Sequence, residues 1–272
     1  MARQGFLYLA LSMLAACAIV DNPNLSDVDK SLLEEAKTSH KIGNYAKEEE
    51  IYRQLLAEYP NNSDFSFHYA EAARLVGDEK TALEYYDKVL KAEPESIDAE
   101  EGKGLALMMA GRLDEAAKIF SDIIQKDAAR WKTINALGVI SALQGRIDQA
   151  MEYYDMALTI TPDNPNILNN MGLSYALDGD YQNAVRALIH GAAGAGADNF
   201  KKRKIDLNLS MVYGLMGKVP EAEKILRGYL PDDKVKEYLA LYAKLRSDRK
   251  AAGSYINKAL APTPAAPFQW KR

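Results

Sequence analysis

Glycines at positions 43, 77, 111, 145 and 179 follow one another at intervals of 34 residues, and Gly217 comes 38 after the last. Five places after each glycine stands a small residue, Ala82, Ala116, Ala150, Ala184 and Ala222, with Glu48 the exception in the first unit. Four places further comes a bulky one: Tyr52, Tyr86, Phe120, Tyr154, Leu188 and Leu226, and Pro60, Pro94 and Pro162 close three of the units. The stretch Trp131 to Pro162 spells out the local meaning. Ile134, Leu137, Gly138 and Ser141 recur at i, i+3, i+4 and i+7 on one helical face. Gln144-Gly145-Arg146 breaks that pattern, with glycine suited to the tight reversal. Ala150, Tyr154, Ala157 and Leu158 then repeat the geometry, and Thr161-Pro162 ends it, because proline pushes the residue before it out of helical conformation. A hairpin of two short helices cannot bury its apolar face alone, so it needs neighbours in phase.

This period and its Gly/Tyr…Ala/Phe…Pro pattern resemble the tetratricopeptide repeat. The resemblance implies an all-α, right-handed superhelical solenoid of about six helix-turn-helix repeats, over residues 27–61, 62–95, 96–129, 130–163, 164–190 and 205–230, with a C-terminal capping helix pair at 232–260. Small residues let helices approach and the large ones fill the holes beside them. Glu48 reads as an adaptation of a terminal repeat, one side of which faces water. The third repeat ends in Lys126-Asp127-Ala128-Ala129 without its proline. Gly191 to Asn199 reads as a widened loop, since neither a P-loop nor a GxGxxG spacing is present. Lys201 to Lys204 reads as a solvated basic run, and residues 261–272, with three prolines and no periodicity, as a disordered tail.

Before the repeats, Phe6 to Ala16 is an uninterrupted run of apolar and small residues, too short for a bilayer span of about 20 residues and suited to the core of a secretory signal peptide (1–16). It ends in Leu14-Ala15-Ala16-Cys17, and Cys17 is the single cysteine of the chain. The tetrapeptide resembles the bacterial lipobox, which implies lipidation of Cys17 and a tether over 17–26. Stable anchoring takes more than one acyl chain, and triacylation would supply it. By resemblance to lipoprotein sorting, Ala18 favours the outer membrane, at its periplasmic face in a Gram-negative bacterium.

Catalytic patterns are sparse. His40, His68 and His190 lie in different repeats, with no HExxH and no Gly-x-Ser-x-Gly elbow, so an enzyme, a metal site and a cofactor are not expected. A formal charge of −4 without long single-sign blocks argues against a broad nucleic-acid surface, and nothing suggests a small-molecule substrate. Binding of protein partners is the expected role. By resemblance, the first helix of each repeat lines a concave groove, which should receive Phe67, Glu71 and Arg74, then Glu101, Leu105 and Met108, then Asn135 and Val139, then Asn169, Asn170 and Leu173, and finally Asn208 and Met211. Asparagine amides there could pair with an extended peptide backbone or bond only locally. Charge reversal or bulk at Asn169 or Leu173 is expected to weaken capture without unfolding.

A narrower resemblance lies near the end. Leu207-Asn-Leu-Ser-Met-Val-Tyr-Gly-Leu-Met-Gly-Lys218, then Glu221-Ala222-Glu223 and Tyr238-Leu-Ala-Leu-Tyr242, resemble the TadD lipoproteins of the tight-adherence (Flp) pilus assembly system, with departures at Ser210, Met211 and Met216 and in a Lys-rich insertion. That implies an outer-membrane scaffold whose partners are the pilus secretin or other Tad components. The alternatives are a type IV pilus secretin pilot, a peptidoglycan-hydrolase adaptor or a barrel-assembly component.

Overall fold

The computed structural model describes residues 25–262. The signal peptide, Cys17 with its lipobox, most of the tether and the tail from residue 263 lie outside them. Twelve helices form six hairpins: α1 (Asp27–Lys41) with α2 (Tyr45–Glu58), α3 (Ser63–Val76) with α4 (Glu79–Ala92), α5 (Ile97–Met109) with α6 (Leu113–Lys126), α7 (Trp131–Leu143) with α8 (Ile147–Ile160), α9 (Pro165–Asp178) with α10 (Tyr181–Gly194), and α11 (Asn199–Leu215) with α12 (Val219–Arg227). Two more follow, α13 (Asp232–Ser247) and α14 (Arg249–Leu260), and no strand occurs among the described residues.

The periodic glycines sit where the chain reverses. All six turn glycines have positive φ, from 72° at Gly43 to 93° at Gly179, a region that a side chain disfavours. Side-chain caps start many of the helices. Ser26 and Asp29 form a reciprocal capping box on α1, and Asn62, Asp78, Asn164 and Asp180 each accept a backbone N–H of the helix they precede.

Packing follows the small–large alternation. Ala82, Ala116, Ala150, Ala184 and Ala222 are fully buried, as are Tyr86, Phe120, Tyr154, Leu188 and Leu226. The large residue of a second helix lies against a glycine of a first helix: a Cβ on Gly138 would stand 2.5 Å from the Tyr154 ring, and one on Gly104 2.5 Å from Phe120. The residues from Leu107 to Leu260 share one apolar core, whereas Leu25 to Tyr69 and Ala70 to Ala106 form two smaller ones.

Two sequence expectations need correction. Glu48 does not face water; it is 3% exposed, in the slot that alanine fills elsewhere, with His40 Nδ1 2.9 Å from its Oε2. Burial pushes its carboxyl pKa up, against the pull of His40. A carboxyl with a raised folded pKa loses stability as pH climbs from the unfolded to the folded value. Glu48→Ala, which restores the repeat pattern, is therefore expected to stabilise the protein by about 0.5–2 kcal/mol at neutral pH; a lower urea midpoint would refute this. Nor is Gly191 to Asn199 a widened loop. α10 ends at Gly194 with the same 14 residues as α8, and the extra residues lengthen α11, which starts at Asn199 and runs for 17. Gly194 is needed because a Cβ there would meet the Asp163 carbonyl at 2.5 Å. The basic run thus lies on the first turns of α11, where Lys201 pairs with Asp198 at 3.1 Å and Lys202 with Asp206 at 2.5 Å.

Candidate functional site: the inner wall

Successive first helices touch one another, α3 with α5, α5 with α7, α7 with α9 and α9 with α11, while no two successive second helices do. In a curved stack the closer-spaced layer is the inner one. The odd-numbered helices therefore form the concave wall, and the predicted groove residues divide along it into three groups.

Phe67, Glu71 and Arg74 from α3 and Glu101 and Leu105 from α5 converge with Asp98, Gly102, Phe120, Lys132 and Ala136 on a cleft of about 220 Å³. Its ionic groups are held in place. Arg74 Nη2 donates to Glu71 Oε2 at 2.7 Å, and the Tyr86 hydroxyl donates to the same carboxylate. Burial works against ionised Glu71, but Arg74 and Tyr86 outweigh it and hold its pKa below the ordinary value. Burial likewise works against the Arg74 charge, and Glu71 raises its pKa nonetheless. Across the cleft Arg130 donates to Asp98 at 2.8 Å and to Glu101 at 3.1 Å, while Thr133 donates to Glu101 at 2.6 Å. Lys132 makes no ion pair among the described residues. The cleft thus offers an apolar floor, fixed charges of both signs and one uncommitted ammonium, a surface for an extended peptide with an apolar anchor and an acidic neighbour.

The second group is the asparagines. Asn170 donates to Asn135 at 3.1 Å, Asn169 to Asn170 at 3.3 Å, and Asn208 to Asn169 at 2.7 Å. Their amides bond to one another in a ladder across α7, α9 and α11, the local alternative to peptide capture.

The third group is buried. Met108, Val139, Asn169, Leu173 and Met211 are each at most 5% exposed, so they face packed protein rather than an open groove. Substitution at Asn169 or Leu173 consequently reports on folding, not on capture, which corrects the expectation from sequence. Reading the sequence also missed Asp98, Arg130 and Lys132. Asp98 and Lys132 stand three residues before Glu101 and Asn135 on the same face, so the helical period could have found them. Arg130 lies just beyond the repeat end that lacks its proline, and nothing in the spacing announces its role.

Two family descriptions match the chain: "Psidin, N-terminal TPR repeats region" over residues 76–189 and "Tetratricopeptide repeat" over residues 36–96. The fold is a tetratricopeptide-repeat solenoid. Among solved structures, it is similar to PilW, described as a widely conserved type IV pilus biogenesis factor, with a TM-score of 0.64 and 17% identity over 79% of this chain and 100% of that one. It is also similar to MamA from Desulfovibrio magneticus RS-1, with a TM-score of 0.52 and 16% identity over 64% of this chain and 98% of that one. At such identities the likeness concerns the solenoid fold. No curated protein matches the chain in sequence. Tetratricopeptide repeats are protein-interaction modules, so the chain is an interaction scaffold with protein partners, and neither family match is a catalytic one.

Proposed function

We propose that this solenoid is a lipid-anchored scaffold at the periplasmic face of the outer membrane, and that it supports assembly of the tight-adherence (Flp) pilus by capturing a segment of the secretin. The observation that carries the reading is the cleft between α3, α5 and α7, whose opening is lined by the part-exposed Phe67 and Leu105 and the exposed Lys132. Supporting it are the lipobox-like Leu14-Ala15-Ala16-Cys17, the TadD-like segment around Leu207 to Glu223, and a fold shared with a type IV pilus biogenesis factor. Lipid would fix the location, and the raised effective concentration would supply much of the apparent affinity.

Two experiments test it. Leu105→Glu with Lys132→Glu is expected to weaken secretin pull-down by about ten-fold, equivalent to about 1.4 kcal/mol, while circular dichroism stays unchanged; undiminished capture removes the cleft from consideration. Cys17→Ser is expected to move the protein from the membrane to the soluble fraction and abolish pilus display. An unaltered outer-membrane fraction would end the anchor reading. The PilW likeness favours one alternative, a scaffold for type IV pilus biogenesis, in which a different secretin would be retained by the same cleft.

A further inference from the structure

α14 does not complete the stack. A terminal pair of helices would continue the ladder beyond α12, and α13 does so, touching α11 and α12. α14 instead turns back and lies against α9 and α7, on the inner wall, without touching α11 or α12. Asp248 alone joins the two helices, closing α13 and capping α14 in an extended conformation.

The wall beneath α14 differs from the wall it leaves open. At equivalent positions the open helices carry Phe67, Glu71 and Arg74 on α3 and Glu101 and Leu105 on α5, all part-exposed, with Met108 on α5 the one buried member. Val139 and Ala142 on α7 and Leu173 and Ala176 on α9 stand at those positions farther along, and all four are buried. Small apolar groups allow close approach of a helix rather than a solvated peptide. α14 buries Ala252, Ile256 and Leu260, spaced at i, i+4 and i+8, in the core that those four belong to, and Gly253 brings its backbone near Leu177, where a Cβ would be 3.8 Å from the side chain. The seat is imperfect. The one polar tie to α9 is a long hydrogen bond of 3.4 Å from Arg249 to the Asp178 carbonyl, and Asn257 Oδ1 is buried without a donor.

We infer that the inner wall of α7 and α9 is a second docking site, shaped for an amphipathic helix, which α14 fills in cis and which a partner's helix of like pattern enters by displacing it. The inference rests on the reading of the solenoid as a scaffold, but not on the pilus assignment. A bound α14 lowers the apparent affinity of any incoming helix by the fraction of molecules in which the wall is closed.

The test uses the full chain in detergent and a fluorescent peptide of residues 248–262. A chain carrying Ala252→Glu and Ile256→Glu is expected to bind the peptide about ten-fold more tightly than the unaltered chain, whose wall is already occupied. Equal affinity in the two, or binding by neither, overturns the inference. Hydrogen exchange on the unaltered chain decides the matter even if the double variant fails to fold. Amides of α14 should exchange about ten-fold faster than those of α9, with α13 still protected; common protection of α9 and α14 overturns the inference. No pilus component enters either assay, so failed secretin capture leaves this result standing, and the reverse holds too.

Discussion

Tyr154→Ala is expected to destabilise the solenoid by about 3–5 kcal/mol. Its ring is fully buried between α7 and α8, against a glycine that leaves no other atoms to fill the space. The hole left by truncation cannot collapse, because the flanking helices are held by their own contacts in repeats three and five. The residue also links neighbours, since its hydroxyl lies 3.1 Å from Ser174 Oγ on α9. In a one-dimensional array, the loss of such an interface uncouples the units on either side. Tyr154→Phe should cost only about 1 kcal/mol, because Ser174 still donates to the Asn170 carbonyl at 2.8 Å. Urea denaturation of both variants tests the argument; similar midpoints for the alanine and phenylalanine proteins would show that the cavity does not matter.

Arg74→Ala should be nearly as damaging, at about 2–3 kcal/mol. Removing one partner of a buried ion pair typically costs about 3–5 kcal/mol, and the range is lowered here because the Arg74 and Glu71 side chains remain 14% and 23% exposed. Glu71 would be left among Tyr86 and Phe67 with its main counter-charge gone. The pair also predicts a pH dependence. Glu71 has a folded pKa below its unfolded value of 4.5. Its contribution is therefore complete above the unfolded value and is lost as pH falls through the folded one. In Arg74→Ala the Glu71 pKa should rise and this acid-labile contribution vanish. A variant whose acid-unfolding profile below pH ~4.5 parallels that of the unaltered chain would contradict the assignment.

Much of this architecture was legible before any coordinates. The 34-residue glycine spacing marked turns that require positive φ, and the small and large residues at fixed offsets after each glycine marked close helix packing, because both are local constraints repeated in phase. The cleft was legible in part: Phe67, Glu71, Arg74, Glu101 and Leu105 come together there. The position of α14 was not, since an amphipathic helix at the end of an array carries no mark of which neighbour it covers. A signal existed in the wall itself. Val139, Ala142, Leu173 and Ala176 are small or apolar at positions where Glu71 and Arg74 stand on α3 and the longer Leu105 and Met108 on α5, and an inner surface so composed calls for a cover. Glu48 was misread because burial of a carboxylate depends on His40, eight residues away, whose approach no periodicity encodes.

The division of the apolar interior into one large body and two small ones gives the molecule a weak end. Thermal or mechanical opening should begin with α1 and α2, which share with Phe65 and Tyr69 of α3 a small core of their own, and advance one hairpin at a time toward the seam at Leu107. With the lipid proposed at Cys17, that frayed end is also the leash. Each 34-residue unit that lets go could lengthen the reach from the bilayer by up to about 110–120 Å, so the distance at which cargo is held would be set by how many hairpins stay closed under load.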